Sequence, residues 1–337
     1  MMTTSPPQPD TIWRLRTELY PSFALLAAIQ LDVFTPLSDG PGNVEQVAEA
    51  IGADADKLRP LMYILVETGL LAVDGVNFSN SPDANYYLVK GNASYIGAGY
   101  EANSNQWSAL WKSADSIRTG LAQAKIDYSA MSMSKEALDQ IARRGHSDTD
   151  TSAARRLLAE YDFSSCRRLI DVAGGTCGVA ITIAQACPQL RATVVDLPTV
   201  TPITERMVQE AGVADRIEVV AADVVNGTLE GSFDVETMSK FLPVISRDDA
   251  QRAMKNVAQV MEPGGTLYVD DIGIIDDTRL SPSQIIRQNL WFINVFDDGQ
   301  ASTEQERKEW LTDAGFENIV RKTFPNGDST MVARRPE

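Results

Sequence analysis

The sequence predicts an α/β protein in two parts, an all-α module closed by a short hairpin and then an open parallel sheet with crossover helices. Three observations lead there. Helical spacing of apolar residues governs positions 12–67, whereas from Arg168 onward strand and helix patterns alternate. The first of those strands runs into Asp171-Val172-Ala173-Gly174-Gly175-Thr176-Cys177-Gly178, a small-residue turn of the kind that lets backbone approach a nucleotide or nucleoside at a helix N-terminus.

Taken in order, residues 1–10 read as a disordered lead-in carrying Pro6, Pro7 and Pro9, without the basic stretch of a signal peptide. Leu15, Leu19, Phe23, Leu26 and Val33 then mark one long amphipathic helix from Ile12 to Phe34, with Pro21 as a kink. Asn43–Ile51 and Ala55–Glu67 are two further helices separated by Gly52, and Leu70–Val73 and Val76–Phe78 flank the Asp74-Gly75 turn of a hairpin. Helix, turn, helix and hairpin make a winged-helix module. A DNA-reading use is disfavoured, because the second helix offers only Lys57 and Arg59 against Asp56 and Glu67. Residues 93–139 read as helical and rich in large side chains. A polar break at 143–151 precedes a helix ending near Tyr161, and the domain boundary is expected there: 11–160 for the first domain, 161–337 for the second.

In the second domain the pattern predicts strands at Leu169–Ala173, Ala192–Asp196, Ile217–Ala221, Phe233–Met238 and Gly265–Ile272, with a closing helix at Thr303–Ala314 and two last strands. Asp196 ends the second strand, where a carboxylate can take hydrogen bonds from both ribose hydroxyls, and Asp223 follows the third, where it can face an adenine amino group.

Composition narrows the ligand. Thirty Lys plus Arg against 46 Asp plus Glu gives a net charge of −16, which repels nucleic acid and anionic membrane surfaces. One histidine, His146, leaves no multi-histidine metal centre, and no metal is expected. The three cysteines, Cys166, Cys177 and Cys187, are odd in number and lack a CxxC spacing, which points to a reducing, cytoplasmic setting. The loop has no lysine of the triphosphate-binding kind, and acidic strand ends suit a cationic nucleoside such as S-adenosylmethionine (SAM).

These residues resemble the SAM-dependent small-molecule O-methyltransferases that carry an N-terminal winged-helix dimerisation domain. The resemblance spans nearly the whole chain. It rests on Leu169–Thr176, Val195-Asp196-Leu197-Pro198, Ala222-Asp223-Val224, Met261-Glu262-Pro263-Gly264-Gly265 and Ala314-Gly315-Phe316. It implies a Rossmann-like class I methyltransferase domain and a homodimer formed through the N-terminal domain. It further implies that Gly174, Asp196, Leu197, Asp223 and Val224 contact SAM, that Ser239 and Lys240 line its methionine end, and that Tyr128 and Met131 pack against it.

Two departures stand out. Ala173 and Cys177 replace loop glycines, and Pro243, after Ser239-Lys240-Phe241-Leu242, stands where the family places its catalytic histidine. A phenol titrates near pH 10 and gains roughly 10²–10⁴ in rate from a base, whereas a thioether has no proton to lose. The missing base therefore points to S-methylation of a thioether acid such as 4-methylthio-2-hydroxybutyrate. The chain is accordingly similar to the bacterial S-methyltransferase branch of dimethylsulfoniopropionate synthesis. Such an acid needs a cation in its pocket. Trp107, Arg143, Arg144, His146, Asn289 and Phe296 are the expected substrate residues. The alternatives are an O-methyltransferase of an aromatic natural product, with Asp248, Asp271 or the substrate itself as base, and a SAM-binding relative that transfers no methyl group.

Overall fold

The computed structural model describes residues 7–92, 94–104, 107–125 and 148–337. It divides into two compact units, Met1–Asn105 and Gln106–Glu337.

In the first unit the expected single N-terminal helix is two, Asp10–Thr17 and Leu19–Leu31. The break falls at Glu18, not at Pro21, which sits in the first turn of the second helix, where a missing N–H costs nothing. Asn43 caps the helix Val44–Ile51 in a reciprocal capping box with Gln46, and Gly52 ends it at φ 68°. Asp54 caps Ala55–Glu67 through the backbone N–H of Lys57. Strand β1 (Gly42–Asn43) completes a three-stranded sheet with β2 (Leu71–Asp74) and β3 (Asn77–Asn80), in the order β1-β3-β2. The wing is therefore as expected. Phe34, Met62, Leu65 and Phe78 are fully buried at its centre, each contributing roughly 1.5–3 kcal/mol of transfer free energy.

The second unit is a seven-stranded mixed sheet. Strands β4 (Arg168–Val172), β5 (Arg191–Asp196), β6 (Ile217–Ala221), β7 (Phe233–Ser239) and β8 (Met261–Asp271) run parallel. A two-residue pair, β9 (Ile274–Ile275) and β10 (Ser302–Thr303), stands apart from the sheet. The last strands, β11 (Glu317–Thr323) and β12 (Ser329–Arg334), are antiparallel to their neighbours, and the order across the sheet is β11-β12-β8-β7-β4-β5-β6. Chain order reverses between β4 and β7, so the crevice at their carboxyl ends is the natural ligand site of this topology.

The units divide at 105/106, well ahead of the 160/161 boundary expected from the pattern. The reason is the helix Asp148–Glu160, whose Ala153, Ala154 and Leu157 are buried in the sheet domain's core. Its Arg156 also pairs with Asp270 at 2.7 Å and Asp328 at 3.1 Å. Between the units' boundary and that helix, the short helices Trp107–Leu110 and Ser113–Thr119 lie against the helix Ser283–Val295. Asn294, fully buried, ties them down: its Oδ1 accepts from Ser116 Oγ at 2.7 Å, its Nδ2 donates to Ser113 Oγ at 2.9 Å, and its carbonyl accepts from Ala124 N–H at 2.9 Å. Among the described residues no helix is long and apolar enough to cross a membrane.

Candidate functional site

The carboxyl ends of β4, β5 and β7 open into a cavity of about 690 Å³, a size that suits a drug-sized ligand. The loop after β4 forms one wall. Ala173, Gly175 and Cys177 all take left-handed backbone, at φ 53°, 54° and 66°. Two of these three positions lack glycine, so the loop bears strain of about 1–2 kcal/mol at each. Gly174 between them is required for space rather than for φ, since a Cβ there would meet Val194 Cγ1 at 2.4 Å and Asp171 Oδ2 at 3.1 Å.

Asp196, at the end of β5, holds this loop. Its Oδ2 accepts the Gly175 N–H at 2.8 Å and its Oδ1 the Leu197 N–H at 2.7 Å. Burial raises its pKa against the pull of those two donors. Asp223, beyond β6, accepts from the backbone N–H groups of Val225 at 2.8 Å and Asn226 at 3.1 Å, and from the Asn226 side chain at 2.9 Å. Its burial, which raises the pKa, is outweighed by these hydrogen bonds and by Arg252, so it lies below the ordinary range. Val224 beside it is buried and apolar. Ser239 and Lys240 leave β7 into the cavity, Lys240 at φ 54° with its N–H on the Asp270 carbonyl at 3.0 Å.

Asp171 lies on the cavity floor. Its Oδ1 accepts from Thr237 at 2.7 Å, while Oδ2 is buried without a hydrogen-bond partner. Burial pushes its pKa up to about 7. Among the described residues six carboxylates line the cavity (Asp171, Asp196, Asp223, Asp249, Asp297 and Asp298) against two ammonium groups, Lys125 and Lys240. An unsatisfied buried carboxylate oxygen, a loop with no room for a Cβ and this charge balance fit a nucleoside bearing positive charge, and not a polyphosphate.

Every described residue expected to touch SAM, namely Gly174, Asp196, Leu197, Asp223, Val224, Ser239 and Lys240, lines this one cavity. Tyr128, Met131, Arg143, Arg144 and His146 lie outside the described residues. Of the remaining substrate expectations, Phe296 is a buried cavity wall. Trp107 and Asn289 are not among the lining residues, and Asn289 instead spends its Oδ1 on the Ala301 N–H at 2.7 Å. Both carboxylates expected as alternative bases are also misplaced. Asp271 is fully buried in an ion pair with Arg307 at 2.9 Å, and Asp248 is exposed on the helix Arg247–Val260, off the cavity.

The sequence pattern pointed to Phe296 but not to its surroundings. Val244 packs in one cluster with Phe296, Phe241 and Ile245 add apolar lining, and Lys125, Asp297 and Asp298 line the cavity as charged groups, Lys125 paired with Asp297. The turn signal Asp297-Asp298-Gly299 directly after Phe296 was the one available clue. Pro243 is buried in a short 3₁₀ turn, Leu242–Val244, and is not itself a lining residue.

Comparison with known proteins bears on this geometry. Residues 107–317 match the family model described as O-methyltransferase domain, and residues 13–90 match the O-methyltransferase dimerisation domain. The chain is 26% identical to the 8-O-methyltransferase of tetracenomycin polyketide synthesis from Streptomyces glaucescens, over 97% of each protein. It is 26% identical to the 3-hydroxy-5-methyl-1-naphthoate 3-O-methyltransferase of Streptomyces sahachiroi, over 96% of this chain and 94% of that one. Its fold matches human N-acetylserotonin methyltransferase, solved in complex with SAM, at a TM-score of 0.81 and 21% identity over 100% of both chains.

Proposed function

We propose, from the premise that this chain belongs to the O-methyltransferase family and is a SAM-dependent methyltransferase, that it methylates a hydroxyl group of an aromatic small molecule. The observation that carries the acceptor class is the apolar wall that Phe296, Val244 and Ile245 give the cavity, with no buried cation among the described residues that line it. The two Streptomyces relatives named above act, by their names, on polyketide and naphthoate hydroxyls, which supports the same reading.

When bound, SAM supplies a methyl group on a sulfonium, open to in-line displacement. The chain's own groups do the positioning on which such a transfer depends. Asp196 would accept from the ribose hydroxyls, and Asp223 with Val224 would hold the adenine by hydrogen bond and apolar contact. Leu197 would cover the nucleoside, and Gly174, Ser239 and Lys240 would face the amino-acid end. The apolar wall would keep water from the reacting atoms and orient a ring edge-on to the donor.

The thioether-acid reading has one observation in its favour: Pro243 supplies no base, and a thioether needs none. Charge weighs against it. Among the described residues the acceptor end holds Asp297 and Asp298 against Lys125, and Lys125 is paired with Asp297, so a substrate carboxylate would meet net negative charge. Incubation with methyl-labelled SAM separates the readings. Product from a hydroxy-aromatic panel supports the proposal. Product from 4-methylthio-2-hydroxybutyrate alone replaces it with S-methylation, and SAM binding without S-adenosylhomocysteine formation on any acceptor marks a non-methylating relative.

Asp171 sets a pH dependence. In ligand-free protein its carboxyl is neutral below about pH 7 and charged above. A raised acid pKa contributes stability that is whole below the ordinary carboxylate range and is lost as pH rises through about 7. A nearby sulfonium favours the charged form, so SAM affinity should rise, by up to about tenfold, between about pH 6 and about pH 8. Calorimetry with S-adenosylhomocysteine, which shares the amino-acid group but carries a neutral sulfur, is the control. Equal pH slopes for the two ligands would remove Asp171 from sulfonium recognition.

A homodimer is proposed through the N-terminal unit. Ile12, Trp13, Leu15, Leu19, Tyr20 and Phe23 of its first two helices are all exposed apolar side chains, and so many exposed apolar groups on one terminal segment call for cover. Light scattering should give twice the chain mass, and a monomer at micromolar concentration would refute the assignment.

A further inference from the structure

We infer that Asp298 is the general base that takes the acceptor's proton, in place of the absent group at position 243. This rests on the hydroxyl-acceptor reading above, because only a protic acceptor needs it. Elimination among the cavity's carboxylates leads to this residue. Asp171 is sealed on the floor and bonded to Thr237; Asp196 is taken by the Gly175 and Leu197 N–H groups; Asp223 is bonded to Val225 and Asn226. Asp249 accepts from Ser246 and pairs with Arg252, and Asp297 accepts from the Ala122 N–H at 3.1 Å and pairs with Lys125. Among the described residues Asp298 alone of the six makes no hydrogen bond or ion pair, so its lone pairs are available to a ligand.

Its place in the fold is the acceptor end. A Cβ added at Gly299 would lie 2.7 Å from the Pro243 carbonyl oxygen and 2.6 Å from Phe296 Cβ. The loop 296–299 is therefore pressed against the turn that carries Val244 and Ile245, and only glycine permits that approach. One step along the chain from buried Phe296 to exposed Asp297 and Asp298 puts a carboxylate at the rim of the apolar wall, within the same cavity and open to solvent. As the acceptor oxygen forms its bond to the methyl carbon, the O–H proton passes to the Asp298 carboxylate. The carbon–sulfur bond breaks with its electron pair on sulfur, leaving neutral S-adenosylhomocysteine, and Asp298 then releases the proton to water.

The test is Asp298→Asn, with Asp298→Glu as the conservative variant, assayed on phenols of graded acidity. Because Asp298 is exposed and has no partner among the described residues, neither change should disturb folding or S-adenosylhomocysteine affinity, which calorimetry checks. Expected is a kcat loss of about 10²-fold for an unactivated phenol, partly regained in Asp298→Glu, shrinking to under about threefold for a nitrophenol already ionised at the assay pH. A merely structural role would give a uniform loss. If wild-type protein turns over phenols and Asp298→Asn stays within about twofold of it on all of them, or loses the same factor on all of them, the assignment is overturned. If wild-type protein turns over no hydroxyl acceptor, the hydroxyl reading itself falls and takes the assignment with it.

Discussion

Asp196→Ala should weaken SAM and S-adenosylhomocysteine binding by about 10²–10⁴-fold, the largest effect expected from any single change around the cavity. The carboxylate does two things at once. It accepts the Gly175 and Leu197 N–H groups at 2.8 and 2.7 Å, holding the glycine loop against β5, and it would present its remaining lone pairs to the ribose. Hydrogen bonds to a charged acceptor are worth about 1.5–3 kcal/mol each, and every 1.4 kcal/mol is about tenfold. Loss of two ribose contacts therefore accounts for the expected range. Asp223→Ala should cost less, because that carboxylate is the less buried of the two and already bonded to Val225 and Asn226. Calorimetric titration of both variants checks the ranking. A loss under about tenfold for Asp196→Ala would mean that the ribose is held elsewhere.

Arg307→Met should lower folding stability by about 3–5 kcal/mol, read as a shift of the urea midpoint of the sheet domain. Arg307 and Asp271 are each about 1% exposed or less as side chains and lie 2.9 Å apart. Arg307 also hydrogen-bonds Ser302 and lies over the Trp310 ring, 5.4 Å from its centroid. Burial pushes the Asp271 carboxyl up and the guanidinium down, and their mutual attraction opposes both shifts. Removing one partner strands the other charge in a dry interior, whereas removing both does not. Asp271→Leu combined with Arg307→Met should therefore recover most of the lost stability. A double variant no more stable than Arg307→Met would show that packing around Trp310, and not charge, is what the arginine provides. Neither residue lines the cavity, so SAM affinity should be unchanged in the double variant. The same pair explains why Asp271 is unavailable as a base.

Much of the cofactor end was legible because it is built from short contiguous stretches. Asp171–Gly178 and Val195–Pro198 read directly as strand-end turns, and both lie where the pattern placed them. The strain at Ala173 and Cys177 was not legible: both replace loop glycines yet keep left-handed backbone, because Asp196 and the Gly174 carbonyl, which accepts the Cys177 N–H at 2.7 Å, fix the loop's course. Local pattern also failed where packing overrode it. The single expected N-terminal helix breaks at Glu18. The helix Asp148–Glu160, expected to close the first domain, buries Ala153, Ala154 and Leu157 in the sheet domain and moves the boundary forward.

The sequence by itself determined the family, the sheet's parallel core and the strand-end residues that line the cavity, since each follows from the period of a segment or a motif a few residues long. The acceptor end was decided only by tertiary structure. Lys125, Val244 and Asp298 come from three segments more than 50 residues apart from one another. They share one cavity because Asn294 anchors residues 113–124 to the helix Ser283–Val295 and because Gly299 lets the following loop close on Pro243. A missing histidine at position 243 is visible in the sequence; the carboxylate positioned to do its work is brought there by long-range packing, which no local pattern encodes.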